Sequence, residues 1–168
     1  TRVRFYLWGS TNLLDDRLEY TGTGGELFKG FLFVLFAIFL PVGILNTMVE
    51  FNSLPDDPVS IAYNGLLFAG IWFLIGVALY SARRYRLSRT WWRGVGAEQT
   101  GSAAVYGCKY LGFFILNILT LGWTYPLMRM RLMHQMMNNT WFGDRRFAFS
   151  GSARHLYGRF AISWITLV

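Results

Sequence analysis

The residues whose types lend themselves to chemistry are few and scattered. Gly22, Gly24 and Gly25 could cradle a phosphate if their backbone N–H groups opened a helix. Neither a Gly-Lys-Ser/Thr ending nor a βαβ setting accompanies them, so a flexible hairpin exit is expected. His134 and Asn138 fall on one helical face, but a metal site needs several converging ligands, and His155 brings no matching carboxylate spacing. A hydrogen-bonded histidine is the expectation there. Cys108 beside Lys109 has no resolving cysteine and no positioned histidine, which predicts an inert, buried thiol. The acidic residues are almost all in loops, leaving no carboxylate pair for acid–base work. These residues predict no enzyme, no cofactor and no bound metal.

The elements that would carry these residues belong to a membrane. The chain of 168 residues is 54% hydrophobic and only 15% charged, against about 25% charged in soluble domains. Sixteen Lys and Arg against nine Asp and Glu give a net charge of +7. Fourteen of the sixteen cations are Arg, clustered between and beyond the apolar stretches. Nucleic-acid binders instead interleave basic and aromatic residues on a soluble surface, so the basic surplus is assigned to membrane flanks and not to RNA or DNA.

A helix needs about 20 apolar residues to cross the hydrocarbon core. Residues 27–48 form the first such span, with Pro41 inside it predicting a kink, and residues 59–80 form the second. In the second, Gly65 and Ala69, with Gly70 and Gly76 nearby, would let another helix approach closely, and Asn64 reads as interhelical glue. The intervening 50–58 carries three acids and no cation, so it should face away from the cytoplasm; Arg83, Arg84 and Arg86 should stay inside. The third apolar stretch, within 104–128, precedes Arg129, Arg131 and further Arg, so a returning hairpin turning near 119–126 is preferred to a simple crossing. A fourth span, 153–168, is too short to cross, and a helix is expected before Thr1. The chain is therefore predicted to be part of a longer polypeptide.

Three segments align on a Thr and a Gly eleven residues later: 11–22, 90–101 and 140–151. Each holds a central turn and an alternating stretch, which predicts a small β-hairpin arm, and each is followed by a small residue (Thr23, Ser102, Ser152) suited to cap the next helix. Gln99 stands where the other arms have an aromatic residue. The expected fold is an all-α membrane protein: polytopic transmembrane helices in a single domain over 1–168, with short cytoplasmic β-hairpin arms in a three-fold internal repeat.

Arg-Tyr-Arg-Leu-Ser-Arg-Thr-Trp-Trp-Arg-Gly (84–94), Leu-Thr-Leu-Gly-Trp-Thr-Tyr-Pro-Leu-Met-Arg-Met-Arg (119–131) and Asn-Thr-Trp-Phe-Gly-Asp (139–144) resemble the YjgN-like family of bacterial inner-membrane proteins, a domain of unknown function. The resemblance implies a multi-pass protein of the bacterial cytoplasmic membrane and brings no activity with it. A structural or accessory subunit is expected, docking on a larger membrane complex, such as a respiratory or photosynthetic one, and on anionic lipid. Arg83, Arg84, Arg86, Arg129 and Arg131 would form its cationic belt, with membrane lipids and other membrane subunits as partners. The alternative is a component of a small-solute transporter or channel, which usually leaves ionisable residues inside its spans.

Overall fold

The computed structural model describes residues 2–13, 15–52 and 57–166. Expectations that fall on Thr1, Leu14, Ser53, Leu54, Pro55, Asp56, Leu167 and Val168, the last two in the expected fourth span, lie outside the described residues. The chain divides into two compact units, Thr1–Gly70 and Ile71–Val168.

In the first unit, α1 (Arg2–Ser10) leads into a hairpin of β1 (Asn12–Leu13) and β2 (Asp16–Arg17), followed by β3 (Glu19–Tyr20). The Trp8 and Tyr20 rings meet with centroids 5.6 Å apart. Thr23 then accepts a bond from the Glu26 N–H and starts α2 (Gly24–Val34). A π-helical turn, Leu35–Phe39, joins α2 to α3 (Leu40–Asn52). This turn absorbs the proline: Pro41 has no N–H to give, and just before it the Leu40 N–H reaches back five residues to the Leu35 carbonyl. Thr47 folds its hydroxyl onto the Ile44 carbonyl at 2.8 Å, so this side chain too is satisfied within its own helix. No side chain of α2 is buried.

α4 (Pro58–Ser88) has 31 residues, about 46 Å at 1.5 Å rise per residue. Among the described residues, the helix over Gly24–Phe51 and α4 are the two long and apolar enough to cross a membrane.

The second unit continues with β4 (Thr90–Trp92), β5 (Val95–Gln99), α5 (Ala103–Leu119), α6 (Tyr125–Asn138), β6 (Thr140–Phe142), β7 (Arg145–Arg146) and α7 (Arg154–Ile165). Arg93 and Gly94 both take positive φ, +49° and +74°, the two-residue turn that matches strand twist. Ser102 accepts from the Val105 N–H to open α5, and the Ser152 hydroxyl accepts from the Arg154 N–H at the start of α7. α5 and α6 form a helical hairpin through a turn with Leu121 and Gly122 at positive φ. That turn is closed by polar side chains. Thr124 donates to Asn117 Oδ1 at 2.6 Å, and Thr120 bonds Thr124 and the Leu116 carbonyl.

The fold class expected from sequence needs correction. The arms expected at 90–101 and 140–151 do not stand apart as appendages of an all-α bundle. β5 pairs antiparallel with β6 (Ala97↔Phe142, Gln99↔Thr140), so β4, β5, β6 and β7 lie side by side as one sheet. The reason is backbone satisfaction: a lone two-stranded hairpin is marginal, and pairing β5 with β6 hydrogen-bonds edges that would otherwise be open. Nor is the chain clearly polytopic beyond the two apolar helices. α5, with 17 residues, reaches about 26 Å, short of a core of about 30 Å.

Candidate anion-binding cleft

Two buried clusters of the second unit build the site. Gly76 and Gly107 let α4 and α5 touch backbone to backbone: a Cβ on Gly76 would lie 2.7 Å from Tyr110 Cβ and 2.9 Å from Gly107 Cα. Beside this contact Trp72 stacks on Phe114 at 3.6 Å between ring centroids. One turn further along α4, Tyr80 is wholly buried and packs against Tyr106, Met128 and Leu132. Its hydroxyl donates to the Thr100 carbonyl and accepts from Asn139 Nδ2 at 2.9 Å. Thr100 is also held by Asn139, whose carbonyl accepts its N–H at 2.9 Å, and by the Trp141 indole at 3.2 Å. The C-terminal half of α4, the sheet and the end of α6 are thereby locked together by polar bonds.

On these elements lies a cleft of about 500 Å³ lined by three arginines, three tyrosines and four methionines, with leucines and Phe149. The arginines are Arg83 and Arg86 from α4 and Arg129 from α6, and no carboxylate lines the cleft. Arg86 is near enough to Arg83 for their like charges to repel. Arg83 donates through Nη2 to the Met137 sulfur at 3.2 Å, a weak acceptor, and its buried Nε has no partner among the described residues. Cations with no acid beside them can accept an anion, and apolar and thioether walls can accept hydrocarbon.

The five arginines of the expected belt do not form one surface. Arg83, Arg86 and Arg129 converge, whereas Arg84 lines a separate hollow of about 560 Å³ together with Glu98, Tyr85 and Trp91. Arg131 turns to a third cavity of about 370 Å³, with His134 and Arg154. The residues proposed for helix packing also divide. Gly76 sits in the close contact described above, while an added Cβ on Gly65 or Gly70 would meet open space. Asn64 is exposed, and Ala69 is half-buried.

His134 takes a hydrogen bond from the Asn138 side chain, with 3.0 Å between Asn138 Nδ2 and the nearer ring nitrogen. Among the described residues no group of three His, Cys, Asp or Glu side chains is placed to hold a metal. Cys108 corrects an expectation: it is exposed, because α5 turns Tyr106 and Gly107 inward and Cys108 to the opposite side. The tyrosines and methionines of the cleft were not singled out from sequence. Their signal was present as spacing, Tyr106/Tyr110 at i, i+4 on α5 and Met128/Leu132/Met136 at i, i+4, i+8 on α6.

Residues 1–168 match the family described as bacterial protein of unknown function (DUF898). No curated protein and no solved structure matches the chain. The chain belongs to DUF898, the family to which the YjgN-like resemblance pointed.

Proposed function

We propose that this DUF898 chain is a membrane protein that holds the anionic headgroup of a phospholipid between Arg83, Arg86 and Arg129, in an accessory rather than a catalytic role. One observation carries the reading. Arginines from two stretches of sequence more than forty residues apart meet in a cleft that has no carboxylate and is otherwise walled by aromatic, aliphatic and thioether groups. A phosphate offers those cations the bidentate acceptor they lack, and acyl chains suit the remaining walls. The two long apolar helices support a membrane setting, in which α2 presents an apolar surface with no buried side chain. The bacterial inner membrane is the compartment this reading assigns, with the basic helix ends and the sheet on the cytoplasmic side.

In an accessory role the open faces around Asn64, Gly65, Ala69 and Gly70 would receive a helix of another membrane subunit, since small residues permit close approach and an exposed amide can bond across helices.

Lipid binding to the detergent-extracted protein, measured by native mass spectrometry, tests the reading. Dioleoyl phosphatidylglycerol should be retained in preference to dioleoyl phosphatidylcholine. The triple variant R83Q/R86Q/R129Q should lose the preference, each arginine contributing about 1 kcal/mol at low salt. Equal retention of both lipids by the native chain overturns it.

A further inference from the structure

Arg129 and Arg131 leave α6 on either side of Met130, and Met130 lines both the cleft that holds Arg83, Arg86 and Arg129 and the cavity that holds Arg131, His134 and Arg154. Neither cavity has a carboxylate in its lining. The one residue they share is Met130. The Met130 sulfur lies 3.2 Å from where a Cβ on Gly151 would stand, and the Phe149 ring is closer still. Gly151, with no side chain, leaves room there for the Phe149 ring and the Met130 sulfur, and Met130 is an unbranched thioether that re-packs at little cost. On the far side Arg154, at the start of α7, is exposed and turns into the second cavity with Arg131.

From this juxtaposition we infer that the paired cavities form one binding site for a lipid with two phosphodiester groups joined by a short bridge, a diphosphatidyl lipid, with one phosphate on Arg83, Arg86 and Arg129 and the other on Arg131 and Arg154. The inference rests on the headgroup reading above and deepens it. A single-phosphate lipid would leave one arginine group without its anion, whereas a linked pair brings the second phosphate at the high effective concentration set by a short tether. A soluble diphosphate would match the charges but not the methionines, tyrosines and leucines of the first cleft or Leu127 and Met130 of the second, so the occupant is a lipid.

Native mass spectrometry of the full chain in mild detergent separates the outcomes. Titrated in parallel, tetraoleoyl diphosphatidylglycerol should bind about thirtyfold tighter than dioleoyl phosphatidylglycerol, from two further arginines at about 1 kcal/mol each. R131Q/R154Q should erase that advantage and keep the single-phosphate affinity, which also reports that the variant is folded; R154Q alone, at an exposed position, should erase part of it. Inorganic pyrophosphate should not displace the lipid. Equal affinity for the two lipids, an advantage that survives R131Q/R154Q, or displacement by pyrophosphate overturns the two-phosphate site and leaves the headgroup reading standing. Failure of both lipids to bind overturns the headgroup reading itself.

Discussion

Tyr80 and Asn139 are 59 residues apart in sequence, and the Asn139 side-chain amide donates to the Tyr80 phenol oxygen at 2.9 Å. The phenol donates its own hydrogen bond to the Thr100 carbonyl, so one buried hydroxyl ties α4, a strand end and the turn after α6. Tyr80→Phe keeps the ring and removes the link, leaving the half-buried Asn139 amide donor and the Thr100 carbonyl without it. The expected loss is about 1–3 kcal/mol, read as a lower midpoint in detergent-phase chemical unfolding. An unchanged midpoint would mean that the bond adds nothing net.

Gln99 offers the opposite case. Its side chain is wholly buried, and neither amide atom has a hydrogen-bond partner among the described residues. Replacing it by Met, of similar length and apolar, should raise stability by about 1 kcal/mol or more. A lower unfolding midpoint for Q99M would show that the amide is satisfied in solution.

Helix contact separates two glycines that look alike in sequence. Gly76→Val would drive side-chain carbons into Tyr110 and the Gly107 backbone and should cost about 1–3 kcal/mol. Gly65→Val meets open space and should leave the isolated chain's stability within about 0.5 kcal/mol. Any effect of G65V should appear instead as loss of a co-purifying membrane subunit.

Topology can be read by thiol labelling in sealed inverted vesicles. Cys108 is exposed, so it must first become Ala. Single cysteines at Asp57 and Ser150 should then label from opposite sides, Ser150 from the cytoplasmic face. Labelling of both from one side would contradict the assigned orientation.

How much of this was legible follows from what is local. The starts of α2 and α5 were, because Thr23 and Ser102 act on N–H groups three residues away, whereas α7 starts from Ala153 with no side-chain cap and Ser152 reaches only the Arg154 N–H. The hairpin turns were, because Gly94 and Gly143 at positive φ mark them. The union of two arms into one sheet was not, since Gln99↔Thr140 is a pairing across two intervening helices that neither strand's own pattern specifies. The division of the arginine belt was only half legible: Arg129 and Arg131, two residues apart on α6, point about 200° apart by helix geometry alone, but which cavity each one lines depends on the elements packed against α6. The replacement of an aromatic by Gln99 also becomes intelligible. Tyr20 lies over Gly22 and Phe149 over Gly151 in their own arms, whereas the space over Gly101 is taken by the Tyr80 hydroxyl and Asn139.

The pairing of β5 with β6 also sets a timetable. The β4–β5 hairpin can close as soon as Gln99 is made, but the strand that pairs with it, β6, ends at Phe142, which a ribosome working at about 5–20 residues per second reaches roughly 2–9 s later. Through that interval Val95–Gln99 has an unpaired edge, open to the same strand of a neighbouring nascent chain. Slowed translation between Thr100 and Asn139 should therefore raise the yield of cross-paired, aggregated protein, with the finished fold itself unaltered.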